Sequence, residues 1–97
     1  VRVISKKTLR EFWEKHRDAE EWLKAWFKEA QGANWKSFED IRKRYRSADW
    51  IRGNKVVFNV KGNRYRHIIK VKFEAQIIYI RFIGTHEEYD RVDVDSL

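Results

Sequence analysis

Apolar residues recur at helical spacing in the first half of the chain and at strand spacing in the second. Leu9, Phe12, Trp13 and His16 fall at i, i+3, i+4 and i+7, one face of a helix running to about residue 16. Arg2-Val3-Ile4 before it suits a short first strand, and Ser5 or Thr8 is placed to cap the helix. Arg17-Asp18 interrupts the pattern. Trp22, Leu23, Trp26, Phe27 and Ala30 then repeat it, and Gly32 is placed to end the second helix. The two helices are expected to form a hairpin that packs Trp and Phe against a sheet. Ser37 suits the cap of a short third helix with Phe38, Ile41 and Tyr45 on one face. Its acids, Glu39 and Asp40, come first and its bases, Arg42 to Arg46, last, as the helix dipole favours.

After Trp50 the period changes to two. Lys55–Val60 is rich in strand formers, and Gly62-Asn63 predicts a tight hairpin turn. Residues 64–73 alternate, with Tyr65, His67, Ile69, Val71 and Phe73 on one face and Arg64, Arg66, Ile68, Lys70 and Lys72 on the other. Glu74-Ala75-Gln76 predicts a second turn. Ile77–Ile83 is almost continuously apolar, as a central strand should be. The expected fold is α+β, one domain over residues 1–97, in the order β-α-α-(α)-β-β-β, with N-terminal helices on a small antiparallel-rich sheet. Helices can cover only the apolar face of the third strand, so the Arg66/Lys70/Lys72 face is expected to stay open or half open.

Charge sharpens this picture. There are 22 Lys and Arg against 15 Asp and Glu, a net charge of +7. Residues 50–73 hold Arg52, Lys55, Lys61, Arg64, Arg66, Lys70 and Lys72 and no acid, whereas residues 87–95 hold five acids and one Arg. A basic middle invites a polyanion; a generally soluble basic surface is the plainer alternative. The chain has no Cys, hence neither disulfides nor a thiolate metal site. No apolar run approaches a membrane span or a signal-peptide core, and a cytoplasmic protein without membrane contact is expected.

Three residues stand out as chemistry. Arg66, on the polar face of its strand, suits bidentate binding of a phosphate; an exposed Arg in a surface ion pair is the alternative. His86, just past the apolar strand, suits a general acid or base, against a loop histidine bonded to backbone. Tyr89, one helical turn on, suits orienting a 2′-OH or stacking on a base, against a core-anchoring ring. Lys55, Lys61, Arg64, Lys70, Lys72 and Arg81 are the candidate contacts to a polyanion such as RNA. His16 and His67 fit packing and core positions, and the three histidines lack ligand spacing. Glu87, Glu88 and Asp90 fit a solvated helix start better than a Mg²⁺ cluster. No cofactor is expected. Trp13, Trp22 and Trp26 have core spacing; Trp35 and Trp50 lie in breaks.

The opening Arg-Val-Ile-Ser-Lys-Lys-Thr-Leu-Arg-Glu-Phe-Trp resembles the start of HigB-type toxins. So do residues 56–66, Val-Val-Phe-Asn-Val-Lys-Gly-Asn-Arg-Tyr-Arg, and residues 79–90, Tyr-Ile-Arg-Phe-Ile-Gly-Thr-His-Glu-Glu-Tyr-Asp. These toxins belong to the RelE-like superfamily of mRNA endonucleases. The resemblance runs nearly end to end. It implies a RelE-like fold and a type II toxin–antitoxin toxin that cleaves mRNA, usually on the ribosome. It also implies a HigA-like helix-turn-helix antitoxin as partner, with DNA reached only through that complex. The family's basic strand residues match Arg64 and Arg66, and its histidine and tyrosine after the last strand match His86 and Tyr89. The expected reaction is metal-independent transesterification by Arg66, His86 and Tyr89. A non-catalytic RNA- or ribosome-binding module and a purely protein-binding sheet are the rival readings.

Overall fold

The two N-terminal helices are α1 (Lys6–Lys15) and α2 (Glu20–Gly32), joined by a 3-10 turn, Arg17–Ala19, in a computed structural model that describes residues 1–97. Strand β1 (Arg2–Ile4) precedes them and the short α3 (Phe38–Arg44) follows. Then come β2 (Asp49–Ile51), β3 (Lys55–Val60), β4 (Tyr65–Lys72), β5 (Ile77–Thr85), α4 (His86–Arg91) and a last 3-10 turn, Val94–Ser96. The sheet order is β1-β5-β4-β3-β2. β1 runs parallel to β5 and all other neighbours are antiparallel. The α+β class and the helix-on-sheet arrangement are those expected, and they are compatible with the RelE-like fold. The sequence pattern did not foresee β2, and it gave α4 only as a helix start after the last long strand. β2 is only three residues, too short to show alternation.

Local details differ from the simplest expectation. Ser5 and Ser37 occupy the N-cap positions of α1 and α3, but neither side chain caps. Near α3 the Asp40 carboxylate instead accepts the Lys36 backbone N–H at 2.9 Å. The β3–β4 connection is four residues, 61–64, closed by the Val60–Tyr65 pair, with Lys61 and Gly62 both at positive φ (54° and 66°). Glycine adopts that conformation freely.

One core lies between the helices and the sheet. Leu9, Trp13, Leu23, Trp26 and Ala30 pack on Val56, Phe58, Val60, Ile69, Val71, Ile78 and Ile80. Its centre is aromatic: Trp26 meets Phe58 edge-on at 5.6 Å, and Phe58 meets Tyr45 at 5.3 Å. Trp35 is also buried, whereas Trp50 remains exposed, packed on Phe38 and Phe73.

A register shift in the β4–β5 ladder sets the faces of β5. Ile69 pairs with Ile80 and Ile68 with Phe82, so Arg81 is an extra, unpaired residue. This bulge lets Ile80 and Ile83, three apart, both face the helices. Tyr79, Phe82 and Gly84 then share the other face with Lys70, Ile68 and Arg66, their cross-strand partners.

That second face is less open than alternation alone implies. Ile68 and Val57 are buried on it, and Arg66 and Lys70 are half-buried. Lys55 corrects one sequence expectation. It is only 4% exposed, and its ammonium donates to the Val94 carbonyl at 2.8 Å. It anchors the C-terminal turn and is not presented to an outside polyanion. No helix is long and apolar enough to cross a membrane.

His67 is fully buried on the helix side of β4, edge-on to Trp26 at 4.4 Å. Its Nδ1 lies 3.3 Å from the Phe82 carbonyl, and its Nε2 has no partner, so it is only half satisfied. Burial pushes its pKa down to about 4. The unfolded chain therefore binds a proton, between roughly pH 6.5 and 4, that the folded chain refuses. Stability present above pH 6.5 should fall with pH through that window, by on the order of 3 kcal/mol in total. Urea midpoints across pH 4–7 check this. His67→Leu should flatten that part of the profile; an unchanged slope would place the titration elsewhere.

Candidate active site

The end of β5 and the start of α4 are built without a loop. Thr85 closes the strand and caps the helix: its hydroxyl accepts the Glu88 N–H at 3.1 Å. The Glu88 carboxylate returns to the Thr85 N–H at 2.8 Å. This reciprocal capping box is legible in Thr85-His-Glu-Glu88. The Thr85 N–H also holds the Glu88 carboxyl below its usual pKa. The His86 N–H donates to the Arg64 carbonyl at 3.0 Å, so the helix begins while still tied to the residue that leads into β4.

Arg66 and Tyr89 meet at this corner. The Arg66 guanidinium lies over the Tyr89 ring, 5.7 Å from its centre. It also donates to Asn63 Oδ1 at 3.2 Å and to the Tyr65 carbonyl at 3.4 Å. No carboxylate is paired with it. Tyr89 in turn packs at 6.4 Å from Phe82. His86, at the first position of the same short helix, is 46% exposed, and its Nδ1 lies 3.3 Å from Asp90 Oδ2. That leaves Nε2 as the nitrogen not engaged by Asp90. The corner thus sets an unpaired guanidinium against a phenol, with an exposed imidazole three residues before that phenol on the same helix, residue types that phosphate binding and proton transfer use.

The other candidate cations divide into two groups. Lys70 and Lys72 continue the face along β4 from Arg66, and Arg81, on the bulge, lies over the Tyr79 ring at 5.0 Å. Arg64 does not join them. It forms an ion pair with Asp18, whose other oxygen accepts the Tyr65 hydroxyl at 2.6 Å. The Tyr65 hydroxyl and then Arg64 hold the Asp18 carboxyl below its usual pKa. Lys61 lines a surface hollow with Asp18, Glu21, Trp22 and Ala25, at that same end. The Lys61 and Arg64 side chains therefore lie beside the helices at Asp18, although the Arg64 carbonyl holds the start of α4.

His16 stacks on Phe12 at 4.3 Å and meets Tyr65 edge-on at 5.3 Å, a packing role. Asn63, Tyr79 and Phe82 join the face although the sequence did not single them out, whereas Asp90, expected in a solvated helix start, lies beside His86. The i, i+4 spacing of His86 and Asp90 was the one signal available for that pair. Glu88 belongs to the helix cap and Asp90 to His86, and no three His, Asp or Glu side chains converge as metal ligands would.

The fold and this corner define a small α+β domain with a cationic, aromatic sheet face ending at a capped helix. The profile of a family described as HigB toxin, RelE-like toxic component of a toxin-antitoxin system, matches residues 19–92. The chain belongs to that family. It is also similar to the protein named mRNA interferase toxin HigB of Escherichia coli K12, 56% identical over 34 residues. Proteins named mRNA interferase HigB from Escherichia coli O157:H7 and Shigella flexneri match with the same identity over the same length. Each match covers 35% of this chain and 33% of the relative, so the chain spans about a third of the length of these curated relatives.

Gly84 allows the corner to close. A Cβ there would lie 2.6 Å from Phe82 Cζ and 2.9 Å from Glu88 Oε1. Gly84→Ala should therefore displace Phe82 and open the capping box. The expected cost is about 0.5–2 kcal/mol, the usual worth of a cap, read by chemical denaturation. Glu88→Gln, which can still close the box, should cost much less. Equal stability of Gly84→Ala and the parent would show that the corner is not closed as described.

Proposed function

We propose that this chain is an mRNA endonuclease acting as the toxin of a type II toxin–antitoxin pair. The observation that carries the reading is the unpaired Arg66 guanidinium over Tyr89, on a cationic sheet face, with His86 at the start of the same helix. The names of the relatives, mRNA interferases, support it.

The reaction is transesterification within the RNA. The 2′-oxygen attacks the adjacent phosphorus as the 2′-OH loses its proton. The P–O5′ bond breaks and the 5′-oxygen gains a proton. The products are a 2′,3′-cyclic phosphate and a 5′-OH, with no metal ion required. Arg66 binds the non-bridging phosphate oxygens and stabilises the charge that grows there in the transition state. His86 exchanges a proton with the 2′-OH or the leaving oxygen through Nε2, while Asp90 holds Nδ1. Tyr89 positions the nucleotide by stacking or through its hydroxyl. Lys70, Lys72 and Arg81 hold the chain's phosphates.

One imidazole and one guanidinium make a modest catalytic set. The ribosome supplies the rest by presenting mRNA in a fixed conformation, an alignment worth up to ~7–11 kcal/mol in favourable cases. Binding to ribosomal RNA through the basic surface should weaken steeply with salt. The toxin's partner is a HigA-like helix-turn-helix antitoxin, through which the pair reaches its operator DNA, and the setting is the cytoplasm.

Mapping of 5′ ends on a reporter mRNA after brief induction tests this reading. New ends within the translated frame should appear and should vanish when translation is blocked. Arg66→Ala should cut at least about 100-fold more slowly, since one lost electrostatic donor typically costs about 10²–10³ in rate. His86→Ala should fall comparably. If both variants arrest growth at matched expression, the catalytic assignment fails. Growth arrest with intact transcripts would instead establish a non-catalytic ribosome-binding module.

A further inference from the structure

The sheet face carries a second cation–aromatic cluster that the cleavage scheme does not use as a nucleotide site. Lys70 and Tyr79 are cross-strand partners, as are Arg66 and Gly84 nearer the catalytic corner. Between the two pairs lies an apolar step, Ile68 opposite Phe82. Tyr79 is half-exposed, and the Arg81 guanidinium lies 5.0 Å from the centre of its ring. The bulge creates this pairing. It makes Arg81 the extra residue of β5 and turns its side chain toward Tyr79.

We infer that Tyr79, flanked by Arg81 and Lys70, is a second base-stacking platform for single-stranded RNA. This rests on the endonuclease reading above. Arg81 lies over one face of the ring, so a base stacks on the opposite face while the two cations offer charge to the neighbouring phosphates, the combination that sequence-tolerant single-strand binding uses. Lys70 lies four residues along the strand from Arg66, about 13 Å at strand rise. That is roughly four times the ~3.4 Å step between stacked neighbours. The platform therefore takes a base separate from the two that flank the cut, and RNA lies along β4 and β5 rather than only at their end. Arg81 and Lys70 hold phosphates between the two positions.

The test is binding of short single-stranded RNA by fluorescence anisotropy at low salt, in a His86→Ala background that leaves the RNA uncut. Tyr79→Ala should weaken binding about 10-fold, within the range for one lost base–aromatic stack. Tyr79→Phe, which keeps the ring, should restore it. RNAs carrying one abasic nucleotide at a time locate the effect. The Tyr79→Ala penalty should disappear for a single abasic position, and that position should not adjoin the cleaved phosphate. A penalty that persists at every abasic position would make Tyr79 structural and overturn the platform. Unaltered binding by Tyr79→Ala, with parent protein that binds RNA and cuts mRNA on translating ribosomes, would overturn the platform alone. A parent chain that binds no RNA and cuts no mRNA on translating ribosomes would overturn both readings.

Discussion

The extra residue in β5 is the constraint on which the functional surface depends. A strand without interruption places every second side chain on one face. Ile78 and Ile80 point to the helices, so an unbroken β5 would send Phe82 and Gly84 there as well. Arg81, left unpaired, resets the phase. Ile83 then fills the core, while Phe82 and Gly84 join Arg66 and Ile68 on the opposite face. One residue thus decides which side of the sheet is packed and on which side the corner beside α4 is assembled. A bulge also adds local twist, and it frees Arg81 to lie over Tyr79.

Neighbouring cations separate by what holds them. Arg64 and Arg66 are two residues apart, yet Arg64 is committed to Asp18 together with the Tyr65 hydroxyl. That network ties the α1–α2 junction to the β3–β4 hairpin. Arg66 has only the neutral partners Asn63 and the Tyr65 carbonyl, so its charge is not cancelled by a carboxylate. Lys55 is the opposite case, a buried ammonium satisfied by the Val94 carbonyl. Its desolvation is tolerable because that bond fastens the C-terminal turn across the sheet. Of a uniformly basic segment, then, one part is structural and one part is presented.

The core carries its own asymmetry. His67 has a single hydrogen-bonding nitrogen engaged and otherwise faces aromatic rings, Trp26 edge-on and Phe58 stacked at 5.5 Å. It stays neutral because nothing nearby repays the desolvation of a charged ring. Its bond to the Phe82 carbonyl spans β4 and β5 beside the bulge. Core packing and the geometry of the site face are therefore linked through the same pair of strands.

Periodicity alone determined the α+β class, the two N-terminal helices, the three longer strands and the two-faced character of β4. These follow from local spacing, which the chain writes into itself wherever an element runs for several residues. Arg66, His86 and Tyr89 stood out by residue type, whereas the equally local capping box Thr85–Glu88 did not. Only the tertiary structure decided that Arg81 is a bulge, that Lys55 is buried and that Arg64 faces Asp18. It alone brought Tyr79 and Phe82 to the same face as Arg66, and Asn63 to its guanidinium. Each of these depends on a partner in another strand or turn, or on which of two equivalent cations the fold happens to pair. A charge or a ring in a sequence states what it can bind; its neighbours across the sheet decide whether it is free to do so.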